Sequence, residues 1–267
     1  MSWKPIAGIL LRQFYLMRGS PARVVPLFAW AAVDIVLWGF ISRYLNRVGT
    51  AGFDFVPQLL GAVLFWDFFT RVMLGVVTAF FEDIWSHNFL NVFAAPLSVR
   101  EYVAGLVLTS MATSAVGLVA MLLLATAVFG LPLLAPGFLL VPFVLVLFLF
   151  GIALGIVASA IVLRLGPASE WLVWPMPAVL APFAGVFYPL STLPAWMQGI
   201  GRLLPPAYVF EDMRALLAGR EVGLVGVGAA LGLALLHTAL ATWRFARVYR
   251  YAVRHGLLAR YSAESSE

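Results

Sequence analysis

Apolar residues run through this chain in long, nearly unbroken blocks separated by short polar stretches. A helix needs about 20 consecutive, mainly apolar residues to cross the hydrocarbon core of a bilayer. Five blocks meet that length, at about 24–43, 57–81, 102–129, 138–163 and 222–243. A sixth, at about 171–190, is equally apolar but carries Pro175, Pro177, Pro182 and Pro189. Proline removes a backbone donor and clashes with the preceding turn, so this span is expected to be kinked or broken, with protein or a water-filled cavity around it. Ahead of the first block the pattern changes. Trp3, Ile6, Leu10, Phe14 and Met17 recur at three- and four-residue spacing, with Lys4, Arg12 and Arg18 among them. That period predicts an amphipathic helix from Ser2 to Arg18. A cytosolic helix would show the same period, but aromatic and cationic residues together favour the membrane interface. The segment lacks the continuous apolar run and cleavage site of a secretory leader, and is expected to stay attached.

Two connections are too rich in pattern to be simple turns. From Glu82 to Glu101 the chain reads EDIWSHNFLNVFAAPLSVRE, with Trp85, Phe89 and Phe93 at four-residue spacing and Pro96 as a stop. This predicts a short helix presented to a partner. From Leu190 to Glu221, Pro194 with Trp196 and then Pro205-Pro206 are each placed to start a helix, so two short helices are expected at or in the outer leaflet. The fold class that follows is all-α and polytopic, a single domain over 1–267: an interface helix at 1–22, six spans within 24–243 and a cytoplasmic tail at 244–267.

Composition supports a membrane domain and excludes several alternatives. The chain has 63% hydrophobic and 11% charged residues, against about 25% charged in ordinary soluble domains. Its net charge of +5 is concentrated at the two ends, which suits the cytoplasmic face of a membrane better than nucleic acid. With the N-terminus inside and six spans, Lys4, Arg12, Arg18, Arg23, Arg100, Arg164, Arg244, Arg247, Arg250, Arg254 and Arg260 lie on the cytoplasmic side. Only Arg43, Arg47, Arg202, Arg214 and Arg220 lie outside. Both termini are therefore expected inside. There is no cysteine, so disulfides, thiolate metal sites and cysteine nucleophiles are absent.

Candidate chemistry is sparse. A phosphate-binding loop needs a lysine after glycine, and the single lysine, Lys4, follows Trp3. The chain does not hydrolyse ATP by that route. Within the spans stand Asp34, Asp67, Arg71 and His237. Asp67 and Arg71, at i and i+4, share one helical face and are placed to pair; that pair is either structural or part of a substrate or proton path, and Asp34 is placed to join it. His237 reads as a packed histidine. His87, His237 and His255 are scattered, and neither a metal-binding spacing nor a G-x-S-x-G elbow occurs. Gly151, Gly155 and Ser159, and again Gly228 and Gly232, place small residues at four-residue spacing, which allows close helix packing within the chain or between copies. Most tryptophans fall at span ends as interface anchors, while Trp66, Trp171 and Trp174 are placed either as such anchors or along a route for an amphiphile.

The order of elements resembles the ABC-2 type permeases over nearly the whole chain. The likeness rests on the amphipathic first helix, six spans, and Ala95-Pro96-Leu97-Ser98 followed by Glu101 and Gly105. It continues in Ala184-Gly185-Val186-Phe187-Tyr188-Pro189, Leu193-Pro194-Ala195-Trp196, Leu204-Pro205-Pro206-Ala207-Tyr208 and Glu211 to Arg214. The resemblance implies the membrane subunit of an ATP-binding cassette exporter: a homodimer or pseudo-dimer of permeases above two copies of a separate ATPase that uses ATP and Mg. No cofactor is expected in this chain itself. The implied location is a cell membrane, in bacteria the inner one, with lipid as a further partner and no nucleic acid. Glu82, Asp83, Trp85, Asn88, Phe89, Phe93 and Pro96 would couple the ATPase to the spans, and Tyr188, Pro189, Pro194 and Trp196 would belong to an outer re-entrant region. The cargo expected from so few intramembrane charges is amphipathic or lipid-linked: a glycolipid, polysaccharide or drug-like molecule. The competing readings are an ATP-independent secondary transporter working through Asp34, Asp67 and Arg71, an intramembrane enzyme, for which no convergent polar set is visible, and a purely structural assembly factor, which would tolerate changes in the spans.

Overall fold

The computed structural model of the protein describes residues 3–49, 54–85, 97–131 and 137–257, with side chains at all of these except 22, 23, 26, 27, 99 and 139. The described residues form helices joined by turns, and no strand occurs among them. In chain order they are α1 (Trp3–Arg18), α2 (Pro21–Val48), α3 (Gly61–Trp85), α4 (Val99–Phe129), α5 (Leu140–Leu165), α6 (Met176–Ala184), α7 (Ala195–Gly201), α8 (Pro205–Leu217) and α9 (Leu224–Arg254). A π-type turn, Val56–Leu60, runs directly into α3.

Helix starts follow local chemistry. Pro21 opens α2 after Ser20, and Pro205 opens α8 after Leu204, positions where a missing backbone donor costs nothing. Helix α4 begins with a capping box: Ser98 accepts from the Glu101 backbone amide at 3.3 Å, and Glu101 accepts from the Ser98 amide at 3.0 Å. It ends at Gly130, whose φ of 68° closes the last turn.

Five helical stretches are long and apolar enough to cross a membrane: Phe28–Val48, Val56–Trp85, Arg100–Phe129, Leu140–Leu165 and Leu224–Arg254. The segment expected at 171–190 is not among them. A 3₁₀ turn at Pro167–Leu172 is followed by α6, then Gly185 at φ 59° and a second 3₁₀ turn at Leu190–Thr192. Helix α6 has 9 residues, a rise of about 14 Å, roughly half the hydrocarbon thickness. Its prolines are the cause: Pro175 and Pro177 restart the helix, and Pro182 interrupts it before Gly185 ends it. At the other extreme, α9 runs past the expected span end at 243 to Arg254, so the first part of the expected tail is a continuation of that helix.

The core is built on α3. Phe65, Phe68, Phe69, Val72, Met73, Val76, Val77, Phe80 and Phe81 are all buried, around most of the helix circumference. Helix α3 packs on α4 and α5, and α5 packs in turn along α9. Helices α2 and α9 keep broad apolar faces exposed, including Trp30, Leu37 and Phe40 on the first and Leu235, Leu236 and Leu240 on the second. Side-chain hydroxyls mark the crossings. Ser110 donates to the Val72 carbonyl at 2.7 Å where α4 meets α3, and Thr238 donates to the Leu149 carbonyl at 3.0 Å where α9 meets α5.

Contacts also sort the helix ends. Arg43, near the end of α2, donates to the Val128 carbonyl at 2.7 Å and lies over the Phe129 ring at 4.9 Å, so the C-terminal ends of α2 and α4 meet. The turn at 56–60 contacts α8 at that same end. At the opposite end Phe245 of α9 meets Phe80 of α3, and Arg164 of α5 lies 5.9 Å from the Tyr251 ring. Helix α1 docks there too, with Ile9 against Gly105.

The two small-residue stripes differ. A Cβ added at Gly155 would lie 2.8 Å from the Met73 carbonyl oxygen and from Val76, and at Gly151 it would lie 2.8 Å from Val72, so this stripe lets α5 approach the α3 backbone. Gly228 and Gly232 have nothing within 4 Å and face away from the rest of the chain. Gly155→Leu is therefore expected to cost about 1–3 kcal/mol or more through overpacking, while Gly232→Leu leaves the monomer's stability unchanged. Unfolding by titration with a denaturing detergent, followed by tryptophan fluorescence, separates the two.

Candidate functional site

Three groups of polar side chains are set into this apolar bundle. The first joins α1 to the end of α3. Asp83 is fully buried, with 0% of its surface exposed. A carboxylate in that position must be paired, and it is: Arg12 of α1 ion-pairs with one oxygen, and the Tyr102 hydroxyl of α4 donates to the other at 2.7 Å. Three helices thus converge on one carboxylate. The capping box of α4 lies one turn before Tyr102, and Gly105 lies one turn after it, where a Cβ would press to 2.7 Å against Ile9 of α1. The sequence stretch Ser98, Glu101 and Gly105 accordingly starts α4 and seats α1 upon it.

Of the residues expected to couple to an ATPase, Asp83 is turned inward to this pair. Trp85 is exposed, and its indole donates to Glu170 at 3.2 Å, tying the end of α3 to the 167–172 turn. Glu82 faces a cavity described below. Asn88, Phe89, Phe93 and Pro96 lie outside the described residues. Arg12 and Tyr102 were not singled out as partners by sequence reasoning. Arg12 was visible as one cation of the amphipathic helix, but nothing local connects it to an acid 71 positions away.

The second group lies inside the bundle. Arg71 donates through Nε to Asp67 Oδ2 at 2.6 Å, the i, i+4 pair that the spacing predicts. Both residues line a cavity of about 440 Å³ with Gln13, Trp30, Thr78, Glu82, Thr113, Ser114 and Trp174. Asp67, Thr70 and Trp174 also line an adjoining cavity of about 320 Å³, together with Asp34, Trp38, Trp66 and Phe187. Asp34 thus joins the same polar region. His237 lies apart, on α9, with Nδ1 at 2.8 Å from the Leu233 carbonyl and its ring edge-on to Phe150. It is a packed side chain. Among the described residues no group of histidines and carboxylates is placed to hold a metal ion.

The third group closes the corner after α6. Arg214 of α8 donates to the carbonyls of Gly185 at 2.8 Å and Val186 at 3.3 Å, and pairs with Glu211 at 3.0 Å. Glu211 in turn accepts from the Leu190 amide at 2.6 Å. The Tyr188 hydroxyl donates to the Pro182 carbonyl at 3.0 Å, Pro189 precedes the second 3₁₀ turn, and Pro194 caps α7. Trp196 is exposed, edge-on to Phe183 at 6.2 Å, and Trp38 of α2 stacks on Phe187 at 5.0 Å. Asp212, the neighbour of this network on α8, has its carboxyl pushed above the ordinary range by burial first and by the Glu211 charge second.

Compared with known proteins, the chain gives one family result. The sequence model of the family described as ABC-2 type transporter matches residues 9–218, from within α1 to just past the end of α8. No curated protein matches the chain.

The buried pair sets a clear expectation for stability. Asp83→Asn strands the Arg12 charge and is expected to cost about 3 kcal/mol or more, Tyr102→Phe about 1–2 kcal/mol, and replacing Arg12 and Asp83 together by leucine less than Asp83→Asn alone. The same detergent titration reads all three. For Asp212 the folded pKa is raised, so the ionised form costs stability at neutral pH and the cost fades as pH falls through the folded value. Asp212→Asn is thus expected to raise the thermal midpoint at neutral pH and to leave it unchanged below about pH 3, where both states are protonated.

Proposed function

We infer the function from family membership: the chain belongs to the ABC-2 type transporter family, a multi-pass membrane permease of an ABC transporter that associates with an ABC ATPase subunit. In this reading it is an exporter, working by alternating access with two ATPase subunits beneath a homodimer of permeases. The cargo is amphipathic or lipid-linked and moves along the seam between the two copies. ATP and Mg act in the ATPase, and this chain carries no nucleotide chemistry of its own.

The observation that carries the mechanism is the convergence of α1, α3 and α4 on Asp83. The stretch 86–96 runs from the end of α3 to the start of α4, so its two ends are anchored in helices that share this carboxylate with α1. A push on that stretch from a closing ATPase would move the three helices together, as a rigid unit tilting against the rest of the bundle. Phe89 and Phe93 supply the apolar contact to the partner, and α1 adds a second one.

Six crossings with both termini on the cytoplasmic side fit the way the helix ends meet. Helix α5 finishes at the end of the bundle where α1 sits, while α9 starts beside α8 at the opposite end. The chain between them must traverse the bundle, and the proline-broken segment with α6 makes that crossing. Helix α8, locked to the 185–190 turn by Glu211 and Arg214, then forms with α7 the outer re-entrant cap over the exit.

Two measurements test this. Co-purification with a P-loop ATPase, whose hydrolysis rate changes when the permease is reconstituted with it, is the expected result. A chain that transports under an ion gradient and captures no ATPase would instead be a secondary transporter using Asp34, Asp67 and Arg71. In the reconstituted complex Phe89→Asp is expected to lower coupled transport by about tenfold or more while leaving detergent stability intact. Normal transport by that variant would remove 86–96 from the coupling path.

A further inference from the structure

The cavity between α1, α2, α3 and α4 has a chemistry that the helix packing does not require. Two adjoining chambers, of about 440 and 320 Å³, share Asp67, Thr70 and Trp174. Together they fall within the volume range of drug-sized ligand sites. Carboxylates outnumber the guanidinium in their walls: Arg71 engages Asp67, while Asp34 has no hydrogen-bond or ion-pair partner among the described residues. An ionisable group at membrane depth without a partner marks a binding or transport path by default.

The remaining lining points the same way. Thr78 and Thr113 donate their hydroxyl protons to the carbonyls of Leu74 and Thr109 on their own helices, at 2.7 and 3.1 Å, so their free lone pairs are acceptors. Trp30 and Trp174 add aromatic faces, which attract cations in a low-dielectric setting. Two polar atoms are stranded. Gln13, 5% exposed, has no partner for Nε2, and Ser114, 2% exposed, has none for its hydroxyl. A donor left open in so apolar a place costs free energy unless something else accepts from it. A lipid tail filling the cavity would leave Gln13, Ser114 and Asp34 unsatisfied, and an anion would face the excess of carboxylate.

We propose that this cavity binds an amphipathic organic cation with an aromatic body and an acceptor oxygen: the positive charge sits at Asp34, the rings lie against Trp30 and Trp174, and the oxygen accepts from Gln13. That such a molecule is the exported cargo rests on the permease reading; its binding to the chain does not.

Rhodamine 6G, a cationic xanthene with an ester carbonyl, is a direct probe, and fluorescein is its anionic counterpart. Fluorescence anisotropy is measured with the purified full chain in lipid nanodiscs, against empty nanodiscs to subtract partitioning. Rhodamine 6G is expected to bind saturably, at least about tenfold more tightly than fluorescein. Asp34→Asn, at a side chain with no structural partner, lowers that affinity by about tenfold, and Gln13→Leu lowers it several-fold. Equal binding of the two dyes, or unchanged affinity in both variants, overturns the proposal. Because the assay contains no ATPase, failure here leaves the permease reading standing, whereas saturable dye binding by a chain that captures no ATPase would sink the permease reading alone.

Discussion

A carboxylate withdrawn from water must meet an opposite charge or be held by donors, and the arrangement at one end of this bundle follows from how Asp83 meets that demand. Its partners come from two other helices, Arg12 on α1 and Tyr102 on α4. Helix α1 is short and partly exposed, and its apolar face alone would let it slide or rotate on the helices it packs against. The ion pair fixes its rotation, and the close seat of Ile9 on Gly105 fixes its height. These two contacts tie α1 to the ends of α3 and α4. Buried pairs of this kind contribute little net stability beside an apolar substitute, and their use lies in specifying one geometry.

The opposite end is organised by a different solution to the same problem. Prolines break the apolar segment between α5 and α9, which exposes backbone carbonyls of Gly185 and Val186 at a turn. Shielded from water, those groups need donors. Arg214 provides them and Glu211 takes the Leu190 amide, so that α8 caps the break from outside. The break and the two short helices after it are therefore one unit: without α8 the turn would be unsatisfied, and without the turn Glu211 and Arg214 would have only each other.

Much of this was readable before any coordinates. Long apolar blocks give spans because the length requirement is physical, and the five stretches with that length are helices. The proline-rich block was expected to break, and it does. Asp67 and Arg71 pair because i and i+4 are neighbours on any helix. What escaped was non-local. No local rule joins Arg12 to Asp83, since the acid's burial is decided by how α1 docks, and Asp83 is expected to face a partner only because the resemblance assigns the whole 82–96 stretch to coupling. The glycine stripes show the same limit. Gly151 with Gly155 and Gly228 with Gly232 have the same spacing, yet only the first pair lies against another helix of this chain, because α9 presents that face outward.

The two ends are joined by α3. It is buried around most of its length, begins beside α8 through the turn at 56–60 and finishes at Asp83. Close-packed interiors do not deform smoothly, so a displacement imposed at Asp83 is passed along such a helix as a tilt or shift of the whole rod rather than absorbed locally. Asp67 and Arg71 sit on that rod, facing the polar cavity, and Asp34 faces them from α2, which keeps few buried residues and a broad exposed face. A tilt of α3 would therefore change the spacing between Asp34 and Asp67 more than any contact within the α3, α4 and α5 core. In the proposed mechanism two of the three polar groups would lie where motion of a rigid helix is received, at Asp83, or turned into a change of shape, at the cavity, while the third, at Glu211 and Arg214, holds the broken segment.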